Sequence, residues 1–132
     1  MVSDSPRGSR EWTRRELESA RPPLPRVVLL LGGDPVLSAE LGARLAGRVG
    51  TPGLETFNRE TLQASEIKLR DLVSRAQELP VLSPERCIVL RGAEALLKQG
   101  ADALRALWPA PQAGTVLILH AASLRGWPRK PW

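Results

Sequence analysis

Val27–Val28–Leu29–Leu30–Leu31 runs straight into Gly32–Gly33–Asp34–Pro35, and the reading of this stretch decides the fold. A strand with one wet face alternates apolar and polar residues; one covered on both faces is apolar throughout, as in a parallel sheet. Asp34 then supplies a carboxylate cap and Pro35 fits the first helical position, so a helix follows the strand directly. Leu37, Leu41, Leu45 and Val49 give that helix an apolar stripe, with Glu40 and Arg44 spaced to pair on its wet side. Gly50 and Pro52–Gly53 end it.

The same alternation continues toward the C-terminus. Leu54 to Arg59 is a short second strand. Ser65 caps a helix over Glu66 to Glu78, with Leu69, Leu72, Val73 and Ala76 on one face, and Pro80 stops it. Arg86 to Arg91 encloses a third strand, Cys87–Ile88–Val89–Leu90. Glu94 to Trp108 is a third helix, with Leu97, Ala101, Leu104 and Trp108 along one face. Thr115 to His120 is a fourth strand. The order β-α-β-α-β-α-β predicts an α/β fold of three layers, a mostly parallel sheet with helices on both faces and right-handed crossovers. Toward the N-terminus, residues 1 to 10 have the composition of a disordered leader, Glu11 to Ala20 form a short helix, and Pro22, Pro23 and Pro25 force an extended entry. The expected organisation is a leader at 1–24, a domain at 25–124 and a separate tail at 125–132.

Composition narrows the chemistry. The 132 residues are 42% hydrophobic and 25% charged, with a formal charge of +5. Residues 26 to 124 hold 11 basic and 10 acidic residues, so the body is nearly neutral; Arg125, Arg129 and Lys130 carry most of the excess. A nucleic-acid footprint would instead show a basic stripe on a folded face, and tail-borne DNA or RNA binding ranks last among the readings. With one cysteine and one histidine, an internal disulfide is impossible and a structural zinc site lacks ligands, so no metal or other cofactor is expected. No apolar run is long enough to span a bilayer and no signal-peptide pattern is evident. A soluble, cytoplasmic protein is expected.

The loop after the first strand is where this architecture binds ligands. A P-loop needs G-x-x-x-x-G-K-[ST], its amides cradling phosphates while the lysine and hydroxyl handle charge and magnesium. Gly32, Gly33, Asp34 and Pro35 form a degenerate version: the lysine is missing, Pro35 lacks an amide proton, and Asp34 puts negative charge where an anion would sit. No phosphate binding or catalysis is expected there. Cys87, inside an apolar strand, reads as a core residue; His120, at a strand end, has no assignable catalytic partner. One segment is not required by the fold. Leu79–Pro80–Val81–Leu82 is apolar where connecting loops are normally polar. It either folds back onto the core or stands out as a knob for a partner's pocket, with Pro80 stiffening it and lowering the ordering cost of binding.

The segments Val28–Leu29–Leu30–Leu31–Gly32–Gly33–Asp34–Pro35 with Glu40, Phe57–Asn58, Leu79–Pro80–Val81–Leu82–Ser83, Ile88 through Lys98, and Gly114 through Leu119 carry a family resemblance by their order and spacing. From Pro25 to Arg125 the chain resembles the N-terminal domain of the delta subunit of bacterial DNA polymerase III, the subunit of the clamp loader that opens the sliding clamp. The resemblance implies an AAA+-type member of the P-loop NTPase superfamily lacking a functional P-loop, and a role in DNA replication without an ATPase or other catalytic activity of its own. It implies the sliding clamp (beta subunit) as partner and Leu79, Pro80, Val81 and Leu82 as the clamp-binding element. Family members often carry an aromatic residue there, so Val81 and Leu82 imply weaker binding. DNA would be met only indirectly, and no membrane is implied. Delta subunits continue into a lid and a collar that joins the other loader subunits; here the match dissolves after Leu124, as expected of a truncated or frameshifted frame or a domain fragment, without those contacts. The alternative is a small α/β nucleotide- or small-molecule-binding domain or enzyme using the strand ends near Gly32, Gly92 and His120.

Overall fold

A computed structural model describes residues 2–5, 8–11, 13–19, 26–31, 34–49, 53, 58–79, 85–99, 107, 109, 111–112 and 114–122. Its elements in chain order are β1 (Val2–Ser5), β2 (Gly8–Glu11), α1 (Arg14–Glu18), β3 (Val27–Leu31), α2 (Pro35–Ala46), β4 (Arg59–Gln63), α3 (Leu69–Ala76), β5 (Arg86–Arg91) and β6 (Thr115–Ala121). They make one six-stranded sheet in the order β2-β1-β3-β6-β5-β4. β3, β6, β5 and β4 are mutually parallel, with Val27 opposite Leu117, Ile88 opposite Leu117 and Glu60 opposite Ile88. The protein is therefore an α/β molecule with a mostly parallel sheet, as its apolar runs require.

The unbroken strands feed two cores at once. Val28, Leu30, Cys87, Val89, Val116 and Ile118 pack with Leu41, Leu45 and Ala46 of α2 and with Val49 just beyond it. Their neighbours Val27, Leu29, Ile88, Leu90, Leu117 and Leu119 project to the opposite face and pack with Leu72 and Ala76 of α3, and with Ala93, Leu96 and Leu107. Side chains alternate faces along a strand, so a strand sandwiched between layers is apolar through its middle, and its buried polar residues, Arg86, Thr115 and His120, stand at or next to strand ends.

Several elements depart from their expected places. Residues 2–5 and 8–11, polar enough to suggest a leader without structure, form a hairpin in which β1 pairs antiparallel with β3, Val2 opposite Leu29. Backbone hydrogen bonding to an open strand edge recruits them, a force that side-chain composition does not report. The short N-terminal helix is confined to Arg14–Glu18 and starts from a capping box: the Glu16 amide donates to Thr13 Oγ1 at 3.2 Å and the Thr13 amide to Glu16 Oε1 at 3.3 Å. β4 runs over Arg59–Gln63 rather than Leu54 to Arg59, with residues 54–57 outside the described set. As the edge strand it holds partly exposed residues and needs no apolar run.

The second helix also starts late. Ala64–Glu66 makes a 3₁₀ turn, Ile67 and Lys68 are extended, and α3 begins at Leu69 without a side-chain cap. Ala64 is buried and Ile67 packs on the core, which holds the chain out of the helix that Ser65 would have begun. Ala93–Gln99 is 3₁₀ where the third helix was expected to open; residues 100–106 and 108 lie outside the described set. α2 ends at Ala46 with Gly47 as its C-cap, short of the expected Gly50; Leu41 and Leu45 in it and Val49 beyond it are buried, but Leu37 in the first turn is 40% exposed. Arg44 reaches Glu18 of α1 at 3.8 Å rather than Glu40.

Candidate functional site

Two places drew attention in the sequence, and they lie at opposite ends of the parallel strands. At the C-terminal end of β3, Gly32 and Gly33 fall outside the described residues. Asp34 is the N-cap of α2: its Oδ1 accepts from the Val36 amide at 2.9 Å and the Leu37 amide at 3.3 Å, and Pro35 occupies the first turn. The first-turn donors that could meet an anion are thus already taken by the chain's own carboxylate or absent from a proline.

The other groups at strand ends are quiet. Cys87 is fully buried and burial pushes its thiol up to about 12, against a smaller opposing pull from Arg59, so it stays protonated. His120 lies on the α2 face of β6 against Gly42, its Nε2 buried without a hydrogen-bond partner. Burial, and then the charge of Arg91, hold its imidazole below the usual histidine range, so it is neutral at pH 7. Among the described residues, no three His, Cys, Asp or Glu side chains gather where a metal could sit, and no helix is long and apolar enough to cross a membrane.

At the opposite end, α3 leads to Leu79, the first residue of the apolar segment. Leu79 is 77% exposed, the most exposed of the large apolar side chains described. Pro80, Val81 and Leu82 lie outside the described residues. What the sequence did not announce is how firmly the root of this turn is held. A helix ends with carbonyls that lack intrahelical partners, and here two outside residues meet them. Gln112 donates its backbone N–H to Ala76 O at 3.2 Å and its side-chain amide to Glu78 O at 2.7 Å. Arg86, 8% exposed, donates to Arg75 O at 2.6 Å.

Arg86 also ties the helix to the sheet. It pairs with Glu60 of β4 at 3.1 Å and with Glu78 at 3.3 Å, while Arg75 pairs with the other oxygen of Glu60. The turn carrying Gln112 is fixed in its own right. Thr115 N–H donates to Gln112 O at 3.0 Å, Arg86 N–H donates to Gly114 O at 2.7 Å, and Gly114 takes a φ of 92°, which only glycine adopts without strain. The signal available in the sequence was slight: an arginine opening a strand covered on both faces must find a carboxylate, but which one depends on the fold.

The sequence matches no protein-family model and no curated protein. Solved structures do resemble the fold. The Bacillus subtilis DNA clamp loader delta protein superimposes with a TM-score of 0.67 at 21% identity, over 81% of this chain and 33% of that one. A DNA polymerase III gamma subunit-related protein from Thermotoga maritima does so with a TM-score of 0.57 at 19% identity, over 86% of this chain and 39% of the other. The chain has the α/β fold found in these two proteins and spans between a third and two-fifths of their length.

Proposed function

We propose that residues 25–124 form a delta-like interaction module of DNA replication, which grips a bacterial sliding clamp through Leu79, Pro80, Val81 and Leu82 and carries no ATPase of its own. The observation that carries this reading is Leu79: a large apolar side chain held out in water just past a helix whose final two carbonyls, Arg75 O and Ala76 O, are tied to the body by Arg86 and Gln112. Exposing leucine forgoes ~2 kcal/mol of burial, which is costly in a monomer and useful at a binding surface. The fold shared with clamp-loader proteins supports the choice of partner, and the self-capped start of α2 supports the absence of nucleotide chemistry.

Titration of the protein with a bacterial sliding clamp, wild type beside Leu79→Ala and Val81→Ala/Leu82→Ala, tests the reading. Apolar anchors at an interface contribute about 2 kcal/mol or more each, so each variant is expected to bind about thirtyfold weaker or worse. A wild type that does not bind, or variants that bind equally well, would discard it. Calorimetry with Mg-ATP is expected to give no saturable heat; a clear isotherm would favour a nucleotide-binding domain instead.

A further inference from the structure

The contacts converging on Glu78 exceed what the core needs. Arg86 is buried, and Glu60, which it shares with Arg75, and Arg75 O already occupy its two terminal nitrogens. Its third partner, Glu78, has a side chain 60% exposed, and ion pairs of that exposure add little to stability. The Gln112 side-chain amide likewise spends its hydrogen bond at the surface, on Glu78 O. Residue 78 is thus clamped twice, through its carboxylate by β5 and through its carbonyl by the turn before β6, immediately before Leu79 leaves the body.

We propose that Arg86 and Gln112 are positioning residues for the apolar turn: they fix the direction in which the chain leaves α3, so that Leu79 is presented already ordered. The inference rests on the function proposed above for its biological use, but not for its physics. Ordering a side chain and its loop on binding weakens affinity, and a pre-set exit removes part of that loss. The effect of losing this arrangement is expected as mobility at the root of the turn.

The test uses Glu78→Met/Gln112→Met, which removes both surface side-chain contacts while nearly keeping side-chain size and leaving Arg86 paired with Glu60. Backbone ¹⁵N order parameters come first. In the wild type, Glu78 and Leu79 are expected at the rigid level of about 0.85, falling toward 0.6 in the double variant, while Ala76 and Ile88 stay unchanged. Clamp titration follows, with the double variant expected to bind about tenfold weaker at an unaltered melting temperature. Order parameters that do not move, or that are already low in the wild type, overturn the inference; so does a fall in order with no change in affinity. A wild type indifferent to the clamp removes the proposed function alone, because the order parameters still decide whether Arg86 and Gln112 position the turn.

Discussion

Gly42 stands where α2 crosses His120. A Cβ built there would lie 2.2 Å from Nε2 and 2.7 Å from Cε1 of the imidazole, so glycine is dictated by a side chain on another element rather than by backbone conformation. In an open helix, Gly→Ala stabilises by about 1 kcal/mol; here overpacking costs ~1–3 kcal/mol and reverses the sign. Gly42→Ala is expected to destabilise in urea denaturation, and the same change in a His120→Ala background to stabilise. Equal effects in both backgrounds would sever the link. The buried imidazole also sets a pH dependence. Its folded-state pKa lies below the ordinary 6.5 because burial and Arg91 disfavour the cation. The unfolded chain therefore binds the proton first, and stability falls as pH drops from about 6.5 through the lowered folded value, below which the loss levels off. As the chain's sole histidine, it owns the slope in that window, and His120→Gln is expected to flatten it in denaturation midpoints measured between pH 7.5 and 5.

Among the elements, β4 and α3 are joined by charge as well as by the apolar cluster that holds Leu62, Leu69, Leu72 and Val73. β4 pairs through β5 alone, and Glu60 on it binds both Arg75 and Arg86. Removing one partner of a largely buried pair leaves the other charge uncompensated, whereas apolar replacement of both is often neutral. Glu60→Leu is expected to lose about 3 kcal/mol in urea denaturation, and Glu60→Leu/Arg86→Met to recover most of it. Failure of the second change to rescue would mean that the arginine's value lies in its bond to Arg75 O. The same element marks where sequence reading stops. The apolar runs of β3, β5 and β6 were legible because burial on both faces leaves one residue class to choose from. β4 was misplaced because an edge strand, with only Leu62 strongly apolar, has no such constraint. The Asp34 cap was legible because a cap acts within three residues. Of the apolar turn, Leu79 could be singled out, but its brace could not: Glu60 and Arg86 are separated by 26 residues and Glu78 and Gln112 by 34, and nothing local records those meetings.

At the scale of the whole molecule, the sheet must end somewhere on each side, and the two edges are finished differently. On one side β4 carries Arg59, Glu60 and Gln63, and charged or polar edge strands resist pairing with another chain. On the other side β3 offers Val-Val-Leu-Leu-Leu, with no charge along its length, and it is the β1–β2 hairpin that covers it, pairing Val2, Ser3 and Asp4 with Leu29, Val28 and Val27. The hairpin replaces an apolar edge with one that reads Gly-Ser-Arg-Glu. An uncovered five-residue apolar strand is a template for strand addition by a second copy. Deletion of residues 1–11 is therefore expected to leave the two packed faces intact, with near-native far-ultraviolet circular dichroism, while sedimentation velocity shows association that grows with concentration and is absent from the full chain. Restoring a strand should reverse it: a synthetic peptide of residues 1–11 added in excess is expected to return the truncated protein toward monomer. A truncated protein that sediments like the full chain at every concentration would show that β3 needs no cover, and that the hairpin serves some other end.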